Sequence, residues 1–267
     1  MTKIYDCITF FNENFISNLR FEILHKVVDY FIICESTYDH QSNKKKLNFF
    51  LKNKDYKKKI IHLVFDKPFD PKNNPWQNQA LQREYILTSL KKAKPDDLIM
   101  FSDPDEIPNP QILKNIKLSK KYGIFLQQMY CYKFNLYNEY ESPWEGTKIC
   151  KKKNLTSIDF MRQKVQIKNL KKPFWKFYYE KDIEIYYNGG WHFNSILTPK
   201  EISKKLKTFA HTEYAGPEYS DLSIIKKNIE KNRDLFKRGR HYEKASLDKS
   251  FPEYILNNKL LFKDWIL

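Results

Sequence analysis

Three carboxylates fall within four positions in "FSDPDEIPNP" (101–110): Asp103, Asp105 and Glu106 follow directly on the apolar run "DLIM". In an extended segment residues i and i+2 face the same side, so the carboxylates of Asp103 and Asp105 are expected to converge just beyond a strand. Pro104 stiffens the link between them, and Pro108 and Pro110 restrict the turn that follows. Two like charges held together repel, and a hard divalent cation offsets that repulsion. Mg2+ or Mn2+ keeps water and substrate phosphates beside one or two carboxylates, the arrangement a nucleotide diphosphate needs. The structural use of the same acids is a helix cap, since Asp ahead of "NPQILKNI" favours a helix N-terminus. Glu106 is expected to face away from Asp105 and brace the turn.

The elements that must position these groups alternate. "IYDCITFF" (4–11), "VDYFIICES" (28–36), "KIIHLVF" (59–65) and "DDLIMFSD" (96–103) are short and rich in β-branched and aromatic residues, as buried strands are. Between the first two, Phe15, Leu19, Ile23 and Val27 recur at helical spacing. "WQNQALQREYILTSLKKA" (76–93) lacks Gly and Pro and predicts a helix with an apolar face at Ala80, Leu87 and Leu90. Strands joined by helical crossovers imply a mostly parallel sheet flanked by helices, and in such sheets ligands bind at the carboxyl ends of the strands. The three acids lie at that edge. Residues 123–195 are aromatic and strand-like and predict a mixed sheet around an acceptor cleft; from 199 onward the pattern is mainly helical. With no repeat or long linker, one α/β domain over 1–267 is expected, with a nucleotide-binding half (1–122), an acceptor half (123–198) and a C-terminal helical segment (199–267).

The 267 residues carry a formal net charge of +16, with 41% hydrophobic and 16% aromatic residues, which excludes a disordered chain. Lysines occur in short runs ("NKKK", "DYKKK", "CKKKN", "NLKKP") scattered between apolar segments, as on a solvated surface, and no RNA-recognition, zinc-finger or P-loop pattern is present. Specific nucleic-acid binding is therefore not expected, although a basic binding module and a metal-dependent phosphohydrolase or nucleotidyltransferase are the competing classes. The excess charge suits an anionic small molecule or peripheral contact with an anionic membrane. Cys7, Cys34, Cys131 and Cys150 are far apart and are expected to be reduced and mostly buried. No apolar run of membrane-spanning length and no signal-peptide pattern occurs, so a soluble cytoplasmic protein is expected.

The segments "FFNENFISNLRFEIL", "VVDYFIICEST", "QREYI", "DDLIMFSDPDEIP", "WEGT", "GGWHF" and "FPEYILNN", in this order, resemble glycosyltransferase family 17, whose vertebrate members are β-1,4-mannosyl-glycoprotein N-acetylglucosaminyltransferases. The resemblance implies a GT-A-like nucleotide-sugar fold, Mn2+ or Mg2+ held by the DxD acids through the donor diphosphate, UDP-N-acetylglucosamine as donor, a glycan hydroxyl as acceptor, and inversion at the anomeric carbon. Asp105 becomes the direct metal ligand, and Asp103 contacts the metal or the donor ribose. The vertebrate enzymes carry an N-terminal anchor, so a different glycan acceptor is expected here.

Supporting roles follow from residue chemistry. Arg83, on the helix before the motif strand, is expected to reach the diphosphate. Glu35, Asn12 and Glu13, at strand ends, are expected to contact the uridine. In "NGGWHFN", His192 is a further candidate metal ligand and Trp191 a sugar-stacking ring, with His211 a second candidate for the histidine role. Inverting transfer needs a base for the acceptor hydroxyl. Glu145 is the first candidate; Asp159 and Glu213 are alternatives.

Overall fold

The computed structural model describes residues 2–208 and 212–267. In chain order the elements are β1 (Ile4–Phe10), α1 (Asn14–Leu24), β2 (Tyr30–Ser36), β3 (Ile60–Phe65), α2 (Pro75–Tyr85), β4 (Leu98–Ser102), β5 (Glu106–Pro108), α3 (Pro110–Lys114), β6 (Tyr122–Cys131), β7 (Leu136–Tyr137), β8 (Trp144–Lys151), α4 (Ile158–Lys164), β9 (Ile183–Asn194), α5 (Pro199–Thr208), α6 (Pro217–Ser220), α7 (Leu222–Glu230), β10 (Glu243–Lys244) and α8 (Glu253–Asn257). The fold is mixed α/β. Its central sheet runs β10-β7-β6-β8-β4-β1-β2-β3, with β9 paired to β6 and β5. Strands β3, β2, β1 and β4 are parallel, the arrangement that helical crossovers permit. At β8 the sheet turns antiparallel to β4 and β6, and β9 then runs parallel to β6.

Apolar side chains pack on both faces. On one, Ile8, Phe10 and Met100 meet Leu19 and Phe21 of α1 and Ile255 of α8. On the other, Cys7, Ile99 and Phe101 meet Ile86, Leu90, Ile158 and Met161. All four cysteines are free and buried. Among the described residues no helix is long and apolar enough to cross a membrane.

Two helices turn faces inward that apolar periodicity does not mark. On α1 the buried set is Ile16, Ser17, Leu19, Arg20, Phe21 and Leu24, while Phe15 lies at the edge against Phe134, Phe262 and Trp265. The fully buried Arg20 grips both oxygens of Asp6 on β1, at 2.7 and 2.6 Å. Its remaining N–H groups donate to the Glu106 carbonyl and the Ser102 hydroxyl, both at 2.7 Å. The predicted 76–93 helix is α2 followed by a 3-10 segment, Ile86–Lys92. Thr88 and Ser89 hydroxyls donate to the carbonyls of Tyr85 and Ile86, which tightens the chain there. An Asn74–Gln77 capping box and Pro75 start α2. Its buried side chains are polar: Gln82 and Arg83 line a cavity, and Asn78 donates to the His40 carbonyl at 3.0 Å.

Candidate active site

The carboxyl ends of β1 and β4, helix α2, the start of β8 and the end of β9 surround a cavity of about 800 Å³, a size suited to a small-molecule ligand. The acidic stretch forms its floor. Residues 103–106 are not extended as predicted; they make a tight turn in which Glu106 N–H donates to the Asp103 carbonyl at 3.0 Å. Pro104 takes the second position, where its fixed φ suits such turns. The carboxylates therefore approach the cavity from a turn, each with its own cations.

Asp103 receives Arg162 of α4 at 2.7 Å. Burial would raise its pKa, but Arg162 and Arg83 hold it below the ordinary carboxylate value. Asp105 faces His192 Nε2 at 3.5 Å and Lys205 Nζ of α5 at 3.9 Å. Burial opposes ionisation there too, yet His192 and Lys205 keep Asp105 well below the usual range. For His192, burial disfavours the charged ring, and the Asp105, Glu106 and Asp103 carboxylates overcome it and raise the pKa.

His192 reaches this turn through strand pairing. β5 runs antiparallel to β9, with Glu106 opposite His192 and Pro108 opposite Gly190, and Phe193 N–H donates to the Asp105 carbonyl at 2.8 Å. Gly190, at φ +129°, lets the backbones meet: a Cβ there would sit 2.1 Å from the Ile107 oxygen. Glu106 does brace the turn, accepting Asp103 N–H at 3.2 Å. It also holds two cavity residues, Arg162 at 2.9 Å and the Trp144 indole N–H at 2.7 Å.

These residues fit a divalent cation. Octahedral ligands at about 2.1 Å stand about 3 Å from one another, and the Asp105 oxygen and His192 nitrogen are spaced close to that. The other ring nitrogen of His192, Nδ1, is buried without a partner. Among the described residues no three His, Cys, Asp or Glu side chains form a metal cage. A cation here would complete its shell with diphosphate oxygens and water, as Mg2+ and Mn2+ do in nucleotide sites.

Of the remaining predicted residues, Glu145, Arg83 and Glu13 line the cavity. Glu145 accepts from Lys148 Nζ at 3.2 Å and Ile167 N–H at 3.1 Å. Arg83 is bound to Asp159 at 2.9 Å, and its Nε is buried without a partner. Glu13 spends one oxygen on the N–H groups of Phe11 and Asn12, shaping the loop after β1. Four expectations are corrected. Glu35 is fully buried and holds the 45–49 loop through Lys45 Nζ and Phe49 N–H, besides bonding His62, so it cannot meet a ligand. Trp191 is a core ring whose N–H donates to the Ser250 carbonyl, so it offers no face to a sugar. Asn12 lies outside the cavity wall, and Asp159 is occupied in orienting Arg83 from the first turn of α4. Glu213 lies on the short Thr212–Tyr214 turn, outside the cavity wall, and His211 lies outside the described residues.

Arg162, Lys148, Lys205 and Trp76 also line the cavity, though no motif in the sequence marks them. One signal was present: only six of the 48 basic residues are arginines. Arginine's bidentate fork suits buried carboxylate contacts that lysine serves poorly, and Arg20, Arg83 and Arg162 all converge on the acidic turn or its surroundings.

Lys148 is almost fully buried, and burial, with Arg162 nearby, lowers its pKa to about 8 against the pull of Glu145 and Glu106. Below pH 8 the native state holds a buried ammonium that the unfolded chain would solvate. Between pH 8 and 10.5 the unfolded chain binds more protons than the native one, so this lysine's destabilisation is relieved as pH rises through that window. Lys148→Met is therefore expected to raise stability by about 1–3 kcal/mol at pH 7, with the gain shrinking by pH 10. Urea unfolding at both pH values checks this, and an equal gain at both would contradict it.

Structural comparison finds glucosyl-3-phosphoglycerate synthase from Mycobacterium tuberculosis in complex with Mn2+, UDP-glucose and phosphoglyceric acid, 12% identical over 96% of this chain and 91% of that one, TM-score 0.37. A second structure of M. tuberculosis glucosyl-3-phosphoglycerate synthase is 11% identical over 96% and 92%, TM-score 0.36. A search of curated proteins gives no match. The family model for glycosyltransferase family 17 matches residues 1–241, spanning every cavity residue named above. The chain belongs to glycosyltransferase family 17 and is a glycosyltransferase.

Proposed function

We propose that this glycosyltransferase moves a sugar from a UDP donor to a glycan hydroxyl with inversion, using Mn2+ or Mg2+, and that the donor is UDP-N-acetylglucosamine. The observation that carries the reading is the Asp105–His192 pair on the floor of a cavity that also holds Arg83, Arg162 and Lys205. Asp105 and His192 would hold the cation, which when bound offsets the negative charge that grows on the departing diphosphate.

The chain's own cations serve the same charge. Arg83 and Arg162 are fixed by Asp159, Asp103 and Glu106 before any ligand arrives, so little reorganisation is needed at the moment of transfer. Trp76 and Trp144 line the wall and give it an apolar surface. Glu145 is the base: its carboxylate faces the cavity, is steadied by Ile167 N–H and Lys148, and takes the proton from the acceptor hydroxyl. UDP-N-acetylglucosamine as donor is supported by the family membership, whose vertebrate members transfer that sugar.

The test is a thermal-shift and hydrolysis screen of nucleotide sugars with and without Mn2+. At a hundredfold excess over Kd, UDP-N-acetylglucosamine with Mn2+ should stabilise the protein by about 2.7 kcal/mol, or roughly 5–10 °C in Tm. Slow release of free sugar, of inverted configuration by NMR, should accompany it. If no UDP-sugar stabilises the protein or is cleaved, the reading fails. Phosphate release from nucleotides lacking a sugar would place the same carboxylates in a phosphohydrolase.

A further inference from the structure

Beyond the cavity wall formed by Gln163, Gln166 and Lys168, the chain runs through a 3-10 turn (Ile167–Lys171) into an exposed loop, "KPFWKFYY" (172–179). Phe174, Trp175, Phe177 and Tyr178 are 78%, 61%, 86% and 71% exposed. They are presented by a shaped turn: Lys176 N–H donates to the Pro173 carbonyl, as does Lys181 Nζ, and Tyr179 N–H donates to Lys176. Phe174 packs edge-on against Trp175 at 5.1 Å. No acidic residue occurs from 160 to 179, whereas Lys164, Lys168, Lys171, Lys172 and Lys176 do.

We propose that this loop is a docking surface for an anionic lipid bilayer, the aromatic rings seating at headgroup depth and the lysines meeting lipid phosphates. Holding large apolar rings in water is unfavourable, and rings presented together ask for a covering surface. Protein interface cores are depleted in lysine, and here Lys172 flanks the run of rings and Lys176 interrupts it. A bilayer interface takes both kinds of side chain at once, since aromatic rings favour the headgroup level and lysine stems reach the phosphates. Each lysine near an anionic surface adds attraction that salt screens. Docking here would place the Lys168 wall of the cavity near the bilayer, so that the enzyme meets its acceptor at a membrane surface.

The inference does not depend on the identity of the donor. Its test is cosedimentation of the full chain with vesicles of equal parts phosphatidylcholine and phosphatidylglycerol, and with phosphatidylcholine alone. Binding to the anionic vesicles is expected, falling about tenfold in Trp175→Ser/Phe177→Ser and in Lys171→Gln/Lys176→Gln, and weakening with salt. Both variants lie outside the active site and should keep wild-type donor hydrolysis and Tm in solution. Failure of vesicle binding thus leaves the transferase reading untouched, and loss of donor hydrolysis in the wild type would leave vesicle binding untouched. The proposal is overturned if anionic vesicles do not bind the chain, or if the variants bind as well as the wild type. It is also overturned if the aromatic variant abolishes only self-association or binding of a single-stranded oligonucleotide.

Discussion

Asp105→Asn is expected to lower the kcat/KM of sugar transfer by about 10³-fold or more and to abolish the Mn2+-dependent stabilisation by a UDP donor. The substitution keeps the size of the side chain and the backbone hydrogen bond from Phe193, so the turn survives. What disappears is the charge that His192 and Lys205 surround. His192 is affected as well: without Asp105 it loses its strongest support against burial, and its pKa falls. Because the pKa of Asp105 is lowered in the folded state, its contribution to stability is present above the ordinary aspartate pKa and is lost as pH falls through the acid range. The variant should therefore lose stability mainly at neutral pH, and the gap to wild type should close on acidification. Activity within tenfold of wild type, with the donor-dependent Tm shift intact, would remove Asp105 from the site.

The second large effect lies beneath the floor of the cavity. Arg20→Met should cost about 3–5 kcal/mol of stability, the range for removing one partner of a buried ion pair. Asp6, 1% exposed, would be left as a buried carboxylate without its counter-charge, and the Glu106 carbonyl would lose its closest donor. Adding Asp6→Leu should restore much of the stability, because two apolar groups replace the pair. It should not restore activity, since the Arg20 hydrogen bonds to the Glu106 carbonyl and Ser102 hydroxyl that tie the acidic turn to α1 stay lost. Urea unfolding and donor hydrolysis, measured on the single and double variants, separate the two roles. A loss below about 1 kcal/mol for Arg20→Met would show that the buried pair is dispensable.

The parallel half of the sheet was legible because buried strands write themselves as β-branched and aromatic runs: "IYDCITF", "YFIICES" and "LIMFS" are strands to within a residue or two of expectation. The acidic turn was legible in composition but not in shape. Alternation along a strand placed Asp103 and Asp105 on one side, whereas a turn closed by Glu106 N–H sends Asp103 to Arg162 and Asp105 to His192. Helix faces were the weakest point. Apolar periodicity identifies a face that meets hydrocarbon, and α2 turns Asn78, Gln82 and Arg83 inward instead, toward a cavity and its polar partners. Glu35 and Trp191 were misplaced for a related reason: a polar residue at a strand end or an aromatic after two glycines does not reveal which side of the sheet it serves.

By itself the sequence determined the family, the α/β alternation and the place of the acidic turn at a strand's carboxyl end, since these depend on residue type and short spacing. Only the tertiary structure decided which charges the acids meet. Arg162 lies 59 residues from Asp103 along the chain, and His192 meets Asp105 because β9 pairs with β5 across Gly190. Coulomb interaction depends on distance through space and on burial, and neither can be read from position along the chain.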